Sequence, residues 1–291
     1  MTTTRPVAVI TGATSGLGRV TALGLVRRGY RLGIVARSEA KAGALLTELG
    51  SVADDVQADV FLADLGLVAQ ARRAGREIAA RYGRVDALVN NAGLHAFGQR
   101  TTAEGLAEMT AVNYLGPFAL TEELTGTLRA SAPARVVNVA SEAARRAGGI
   151  TPATDLRSTA RYTRRESMAL YGRTKLMAIM WTQELARRLD TTQTTVNCCD
   201  PGFNVTGLGR DLPGSAVLHR VLSTLRVGDP RRGAGIILRL VTDPAFASTS
   251  GGYFSVRDAK PLQCPEPGRG EQVQRQLWSE TVSLLDGMRP A

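Results

Sequence analysis

A glycine-rich turn near the start of the chain constrains its fold more than any other feature. Val7–Ile10 is apolar and of strand type, Thr11–Gly18 reads Thr-Gly-Ala-Thr-Ser-Gly-Leu-Gly, and an amphipathic helical pattern continues to about Gly29. A strand, a glycine-rich turn and a helix in this order are typical of the unit that binds the pyrophosphate of a dinucleotide. Because 31 glycines are scattered along the chain, the position between strand and helix is what makes the motif informative.

Three glycines of the turn have separate roles in such a unit. Gly12 permits a tight turn, Gly16 lets the backbone approach a pyrophosphate, and Gly18 lets the helix pack closely on the strand. Free N–H groups and the dipole at the start of the helix favour phosphate at this place. A structural turn without a ligand is the alternative. We expect the turn to bind the cofactor through Gly12, Thr14, Ser15, Gly16, Leu17 and Gly18.

The end of the second predicted strand indicates which dinucleotide is bound. That strand runs from Arg31 to Ala36, and Arg37 follows it. NAD-binding units place an acidic residue near here to hold the ribose 2′-hydroxyl, whereas an arginine accommodates the 2′-phosphate of NADP. Arg37 therefore favours NADP(H), and Arg19 in the first helical turn either assists or is solvated.

Tyr171 and Lys175, in Tyr-Gly-Arg-Thr-Lys, form a second informative pair. The chain has three lysines against 33 arginines, so a lysine at this place is a narrow choice. A spacing of four residues places both side chains on one face of a helix. A cation about 4 Å from a phenol, at an effective dielectric of ~20, contributes roughly 4 kcal/mol and lowers the tyrosine pKa. The pair predicts a proton donor and acceptor, although an exposed helix pair arises by chance with the same spacing.

Further motifs follow in order along the chain: Asn90-Asn91-Ala92-Gly93, Ser141, Tyr171-x-x-x-Lys175 and Pro201-Gly202. Together with the glycine turn, this set resembles the short-chain dehydrogenase/reductase family over about residues 5–257. The resemblance implies that Ser141 orients a carbonyl oxygen and that Tyr171 donates the proton to it. It also implies that Lys175 lowers the tyrosine pKa and binds the nicotinamide ribose, and that Asn113 holds a water in a proton relay.

The same resemblance implies further contacts with the cofactor. The residue matching Asp64 touches the adenine, the segment from Asn90 to Gly93 closes the fourth strand against the dinucleotide, and the residue matching Thr206 contacts the nicotinamide amide. Beyond the glycine turn and Arg37, the implied contacts are Asp64, Leu65, Asn91, Ala92, Gly93, Tyr171, Lys175, Pro201, Gly202 and Thr206.

Two features depart from the usual pattern of the family. Many members that use NADP carry a basic residue just before the middle glycine, where this chain has Ser15, so the preference for NADP(H) depends chiefly on Arg37. Ser141 and Tyr171 are 30 residues apart, and the additional segment, about 144–165, resembles the longer loop of the retinol-dehydrogenase-like branch. That branch often acts on lipophilic carbonyls or alcohols, which is the substrate class that the resemblance implies.

Length and periodicity predict an α/β fold. The 291 residues suit one domain over 1–291, with a Rossmann-type, doubly wound parallel sheet of about seven strands and helices on both faces. After the first two strands, the predicted strands are 56–61, 85–90, 135–140, 193–198 and 252–256.

Several classes of protein are disfavoured by what the sequence lacks. No apolar run approaches the ~18–20 residues of a membrane span, and the first strand begins within six residues of Met1, so we expect no membrane span, no signal peptide and a cytoplasmic location. Three cysteines, two of them adjacent at Cys198-Cys199, indicate no disulfide framework. No cluster of histidine, cysteine and carboxylate residues has the spacing of metal ligands, so no metal is expected.

The net charge of +10 raises the question of an anionic partner. The basic residues are spread along the whole chain and no nucleic-acid motif is present, so we expect no nucleic-acid partner. The 144–165 loop is locally rich in arginine, which indicates either a charged rim that attracts an anionic substrate or a solvated basic loop. The arginines in question are Arg145, Arg146, Arg157, Arg161, Arg164 and Arg165.

Three further features bear on the substrate pocket and on assembly. The segment 203–225 mixes glycine with bulky apolar residues, as in a mobile substrate lid or an ordinary amphipathic surface helix. The tail, 266–291, contains a helical pattern that packs on the body or on a second subunit, and a homodimer and a monomer both remain open. His95, two residues after Gly93, either lines the pocket or is a spectator.

These features predict an NADPH-dependent carbonyl reductase, or an alcohol dehydrogenase in reverse, with Tyr171 as general acid and a lipophilic ketone as substrate. A tailoring ketoreductase of polyketide-like secondary metabolites follows by analogy. The alternatives are an enzyme that uses the same residues for C=C reduction, epimerisation or dehydration, and a non-catalytic NADP-binding sensor.

Overall fold

A computed structural model describes residues 5–53, 55–189, 193–202 and 229–289. Thr206 and the predicted lid at 203–225 lie outside the described residues. The described strands are β1 (Val7–Thr11), β2 (Arg31–Ala36), β3 (Ala58–Leu62), β4 (Ala87–Asn90), β5 (Ala134–Val139), β6 (Thr194–Asp200), β7 (Tyr253–Ser255) and β8 (Pro261–Leu262).

Helices alternate with these strands along the described chain. They are α1 (Gly16–Val26), α2 (Glu39–Gly50), α3 (Val68–Tyr82), α4 (Glu108–Thr110), α5 (Gly116–Ala130), α6 (Pro152–Asp155), α7 (Ser167–Arg188), α8 (Pro230–Thr242) and α9 (Glu271–Asp286). A π-helical turn, Ala111–Leu115, joins α4 to α5, and short 3-10 helices lie at Glu142–Arg146 and Pro244–Phe246.

All eight strands form one sheet in the order β3-β2-β1-β4-β5-β6-β7-β8. Neighbouring strands from β3 through β7 are parallel, and the two-residue β8 pairs antiparallel with β7. The predicted parallel α/β sheet is therefore confirmed, with a short eighth strand that the sequence pattern did not indicate. The strand order reverses between β1 and β4, which is where ligands bind in open sheets of this kind.

Both faces of the sheet are buried, because successive side chains of a strand point to opposite sides. In β1, Val9 faces the layer formed by α3, α5, α7 and α9, whereas Ala8 and Ile10 face the layer formed by α1, α2 and α8. This two-sided burial explains why the central strands are almost continuously apolar. It leaves the carboxyl edge of the sheet as the place where polar side chains gather.

Helix α9 covers α5 and α7 on one face of the molecule. The Trp278 ring lies 4.9 Å from the Phe118 ring, measured between centroids. The buried Tyr114 hydroxyl is 2.8 Å from the Thr281 hydroxyl. The C-terminal helical pattern therefore packs on the body of its own chain. None of the helices in the described part of the chain combines the length and hydropathy that a membrane crossing requires.

Candidate active site

Hydrogen bonds join the glycine-rich turn to the end of β4. Thr11 Oγ1 accepts from the backbone N–H groups of Asn91 at 3.0 Å and Ala92 at 2.9 Å. The Asn91 side-chain amide donates to the carbonyls of Thr11 at 2.9 Å and Gly12 at 3.2 Å. The ends of β1 and β4 are thereby held together at the point where the strand order reverses.

Close approach requires glycine at two positions of this turn. Gly12 has a φ of +68°, and a Cβ on it would lie 2.8 Å from the Ala92 Cα. A Cβ on Gly18 would lie 2.3 Å from the carbonyl oxygen of Gly12. Helix α1 therefore begins directly against the turn, with the close packing that the sequence predicts for Gly18.

The first turn of α1 has free donors for an anion. Ser15, the N-cap residue, is extended, and its side chain caps no backbone N–H group. The N–H groups at the start of a helix need a partner from outside it, and the helix dipole favours a negative one. Thr14 is half-buried, Ser15 is exposed and Leu17 is buried. This cradle fits the pyrophosphate of a dinucleotide.

Arg37 and Asp64 lie together at the ends of β2 and β3. Arg37 Nη1 is 3.8 Å from a carboxylate oxygen of Asp64, and the arginine side chain is 70% exposed. Asp64 Oδ1 also accepts from the backbone N–H of Gly66 at 2.8 Å, which orients the carboxylate. Arg19, by contrast, is bound by two hydrogen bonds to Glu48. Arg37 therefore has the more available guanidinium of the two.

Leu65, the neighbour of Asp64, is buried at the edge of this region. A Cβ on Gly116 would lie 2.1 Å from the Leu65 carbonyl oxygen, so the start of α5 packs directly on this backbone. Leu65, a predicted cofactor contact, therefore packs through its backbone against the start of α5, next to Asp64.

The predicted catalytic side chains converge at the carboxyl edge of the sheet. Ser141 follows β5, Tyr171 and Lys175 project from α7, and the Ser141 side chain is close enough to Tyr171 to affect its pKa by hydrogen bonding. A Cβ on Gly93 would lie 3.3 Å from both Asn113 Oδ1 and Lys175 Nζ. Gly93 is itself exposed, so the convergent groups border an open position on the surface of the site.

Gly172 explains how α7 comes close enough for this convergence. A Cβ on Gly172 would lie 2.3 Å from the carbonyl oxygen of Ala143, within the turn that Ser141 begins. Any larger residue would push Tyr171 away from Ser141. Sequence reasoning missed this residue, and the only available signal was its position directly after the tyrosine.

The pKa of Tyr171 differs from the expectation that Lys175 lowers it. Burial raises the pKa of Tyr171, the carboxylate of Asp200 raises it further, and the hydrogen bond from Ser141 opposes them. The Lys175 ammonium is 5.8 Å from the centre of the tyrosine ring and donates to the Val139 carbonyl at 2.8 Å. The predicted lowering by Lys175 is not found, because burial dominates and Lys175 is not among the groups that shift this pKa. Tyr171 is therefore a neutral phenol at neutral pH.

Asn113 lies in the π-helical turn between α4 and α5. Its Oδ1 accepts from the backbone N–H of Leu94 at 2.8 Å, and its Nδ2 donates to the Leu94 carbonyl at 2.9 Å. Nδ2 also lies 3.0 Å from Thr174 Oγ1 on α7. Single π turns in helices are frequent at functional sites. Here the turn directs an amide that fixes the loop after Gly93, a positioning role beyond the predicted proton relay.

Asp200, at the end of β6, is a further site residue that sequence reasoning missed. It is buried, and its Oδ1 accepts from the backbone N–H of Glu142 at 3.1 Å. A backbone hydrogen bond from Gly202 also reaches this carboxylate, and burial raises its pKa. Asp200 thus connects the turn after Ser141 with the Pro201-Gly202 segment. Its position directly before that motif was the available signal.

His95 is placed against Tyr171, the predicted proton donor. Its ring lies 5.1 Å from the Tyr171 ring and 4.6 Å from the Phe97 ring, measured between centroids. Its Nε2 is 3.1 Å from the Ser167 hydroxyl. Of the two predictions for His95, the structure supports a residue of the site wall.

The arginines of the loop after Ser141 make different kinds of contact. Arg145 pairs with Glu142 at 2.6 Å, and Arg157 pairs with Glu280 at 3.2 Å. Arg164 instead lies over the Phe97 ring, with its guanidinium carbon 5.4 Å from the ring centre. Arg157 therefore holds the loop to α9 through an ion pair, whereas the ion pair of Arg145 is local to the turn after Ser141. Among the residues that the structure describes, no group of three or more His, Cys, Asp or Glu is arranged to hold a metal ion.

Comparisons with known proteins are consistent among themselves. The family model for the short chain dehydrogenase matches residues 6–153. Retinol dehydrogenase 14 of Mus musculus is 36% identical over 283 residues, which cover 93% of this chain and 83% of that protein. An uncharacterized protein from Mycobacterium paratuberculosis has a TM-score of 0.76 and 26% identity, covering 97% of this chain and 93% of that one. A variant of actinorhodin polyketide ketoreductase with NADPH has a TM-score of 0.65 and 26% identity, covering 87% and 95%.

Proposed function

The chain belongs to the short-chain dehydrogenase family, and from this premise we propose that it is an NADP(H)-dependent oxidoreductase that interconverts a carbonyl and an alcohol on a lipophilic substrate. The observation that carries the proposal is that Ser141 interacts with Tyr171 while the Lys175 ammonium, from the same helix as Tyr171, lies beside Gly93. The uncapped start of α1 lies at the same edge of the sheet. A bound nicotinamide dinucleotide supplies or accepts a hydride at this edge.

The residues of the chain provide the proton chemistry. The Ser141 Oγ accepts from the Ala143 backbone N–H at 3.1 Å, which leaves its own hydrogen available to a substrate oxygen or to the Tyr171 oxygen. Because the Tyr171 phenol is neutral, it can give its proton to an oxygen that gains negative charge. The Lys175 ammonium, whose pKa burial lowers to about 8, is a suitable source for replacing that proton.

The preference for NADP(H) is supported by Arg37. Its guanidinium is largely exposed beside Asp64 at the end of β2, where a ribose 2′-phosphate is read in such folds. One similar solved structure holds NADPH and another is complexed with NADH, so the preference rests on Arg37.

A lipophilic substrate is supported by the names of the relatives. Mouse retinol dehydrogenase 14 is named for a lipophilic alcohol, and actinorhodin polyketide ketoreductase for a polyketide ketone. In its most specific form, the proposal is that the enzyme reduces a polyketide-like ketone in a tailoring step.

The test is consumption of NADPH by the full-length chain with a panel of aliphatic, aromatic and polycyclic ketones and aldehydes, retinal included. Product analysis separates carbonyl reduction from C=C reduction, epimerisation and dehydration. Tyr171→Phe should still bind NADPH, measured by its fluorescence, but should lose nearly all turnover. Binding of NADPH by the wild type without any turnover would favour a non-catalytic sensor.

A further inference from the structure

The loop after Gly93 is fixed at three points. The Asn113 amide makes two hydrogen bonds with the Leu94 backbone, at 2.8 and 2.9 Å. The Tyr162 hydroxyl lies 3.1 Å from the Ala96 carbonyl and 3.0 Å from the Gly98 carbonyl. His95 Nε2 lies 3.1 Å from the Ser167 hydroxyl. The loop is therefore a preformed wall of the active site, and the wall presents the His95 ring to Tyr171.

The hydrogen bonds determine which nitrogen of His95 carries the proton. A serine hydroxyl has one hydrogen to donate. Ser167 donates this hydrogen to the Arg164 carbonyl at 2.7 Å. The Ser167 oxygen must then accept from His95, so Nε2 carries the hydrogen and Nδ1 of the neutral ring has the lone pair.

The neutral form of His95 is the one that the site favours. Burial lowers the pKa of His95, and a hydrogen bond with the backbone of Ser167 only partly opposes this. Among the described residues, the ring and cation contacts on this side are the neutral phenol of Tyr171, the Phe97 ring and, beyond Phe97, the guanidinium of Arg164. None of these is an anion that would stabilise an imidazolium.

The Nδ1 atom of His95 is left as an open acceptor. Within the described parts of the chain, Nε2 is the ring nitrogen of His95 that has a side-chain hydrogen-bond partner. Nδ1 is also not one of the described side-chain atoms that are both fully buried and unpartnered. Nδ1 is therefore accessible from the space around the ring. The His95 ring itself lies 5.1 Å from the ring of Tyr171, measured between centroids.

We propose that His95 is a specificity-determining residue whose Nδ1 accepts a hydrogen bond from a hydroxyl group on the substrate, a few bonds from the reacting carbonyl carbon. The inference depends on the proposed function and deepens it, because it names hydroxylated carbonyl compounds as the preferred substrate class. A site that hydrogen-bonds a substrate hydroxyl rejects the analogue that lacks it, because the polar group of the protein is then left unpaired.

The test compares a β-hydroxyketone with its methyl ether and with the matching ketone that has no hydroxyl group. The wild type should favour the hydroxyketone by roughly tenfold in kcat/KM, mainly through KM, which is the effect of one net hydrogen bond. His95→Phe keeps an aromatic ring against Tyr171 but has no acceptor, and it should abolish the preference. An unchanged preference in His95→Phe would overturn the inference.

The Ser167 variants separate the role of the tautomer from that of the ring. Ser167→Ala keeps the imidazole but frees its tautomer, so the preference should fall by several-fold. Ser167→Thr retains the hydroxyl and should restore it. This pair also decides the question if His95→Phe does not fold, as judged by circular dichroism. Equal preference in Ser167→Ala and the wild type would then count against the proposal.

A binding measurement distinguishes this inference from the proposed function. Calorimetry on the Tyr171→Phe variant with NADPH should show tighter binding of the hydroxyketone than of its methyl ether, and the difference should vanish when His95→Phe is added. Turnover of all three ketones with no preference would overturn the role of His95 alone. Absence of turnover with a His95-dependent difference in binding would overturn the proposed reaction and leave the binding site supported.

Discussion

The Lys175 ammonium donates a hydrogen bond to the carbonyl of Val139 at 2.8 Å, and both residues are buried. Burial lowers the pKa of Lys175 to about 8. Removing a charge from water costs free energy that one carbonyl partner offsets only in part. Lys175 is therefore held where it lowers the stability of the folded chain.

Lys175→Met should stabilise the protein at pH 7 while abolishing turnover. Because the folded-state pKa is lower than the ordinary value of 10.5, stability is lost as pH falls from about 10.5 to about 8. At pH 7 the full cost is present, and the variant should gain about 2 kcal/mol after the loss of the hydrogen bond to Val139 is subtracted. Urea unfolding at pH 7 and at pH 10 measures this gain, which should be smaller at pH 10.

Lys175→Arg is the matched control for this prediction. It keeps a buried charge and adds volume, so it should not gain stability at either pH. If Lys175→Met is no more stable than the wild type at pH 7, the buried ammonium does not destabilise the folded chain.

The buried pair Tyr114 and Thr281 predicts an asymmetry between two deletions. The Thr281 hydroxyl donates to the Leu277 carbonyl at 2.7 Å, so Tyr114 is the donor in the 2.8 Å bond between them. Tyr114→Phe removes a donor and leaves Thr281 bonded, at a cost of about 1 kcal/mol. Thr281→Val leaves the buried phenol without a partner, at a cost of about 2–3 kcal/mol. Urea unfolding of both variants tests this order, and equal costs would count against it.

Much of the fold follows from local patterns in the sequence. The glycine turn, the strand periodicity and the motif order lie within short segments, so they predict β1, α1 and the parallel sheet without knowledge of distant contacts. The predicted strand at 193–198 extends to Asp200, because its end is defined by pairing with β5 and β7. Strand β8 is only two residues long and carries no periodicity that a sequence shows.

The parts of the site that the sequence did not indicate depend on contacts between distant segments. Position 172 must be glycine because the Ala143 carbonyl leaves no room for a Cβ. The π turn directs the Asn113 amide to the backbone of Leu94. The pKa direction of Tyr171 was predicted wrongly because the burial of a side chain, unlike its distance along a helix, cannot be obtained from local spacing.

Asn113→Leu should release the loop that carries His95. The substitution keeps the side-chain volume but removes both hydrogen bonds to the Leu94 backbone. Hydrogen exchange at the Leu94 amide should accelerate at least tenfold, because a bond of about 1.4 kcal/mol corresponds to a factor of ten. Turnover should fall as well. Unchanged exchange at Leu94 would show that the clamp does not fix the loop.

Arg37→Gln should weaken NADPH binding by roughly ten- to a hundredfold, the effect of losing a hydrogen bond to a charged group. NADH has no 2′-phosphate, so its affinity should change little. Arg19→Gln is the matched control, because Glu48 already binds Arg19, and it should affect NADPH much less. Cofactor titration by fluorescence measures all three proteins. An equal loss in both variants would mean that Arg37 does not read the phosphate on its own.

Asp200→Asn should shift the pH dependence of carbonyl reduction to lower pH. Under the proposed function Tyr171 gives a proton to the substrate oxygen and must be protonated, so the rate falls as pH rises through its pKa. The Asp200 carboxylate raises that pKa, and removing its charge should move the falling limb of kcat/KM down by about one pH unit, equivalent to about 1.4 kcal/mol. The asparagine oxygen still accepts from the Glu142 backbone, so the turn after Ser141 keeps its position. Asp200→Ala removes this acceptor too and should lower kcat at every pH. A falling limb at the same pH in the wild type and Asp200→Asn would show that the charge of Asp200 does not control the tyrosine.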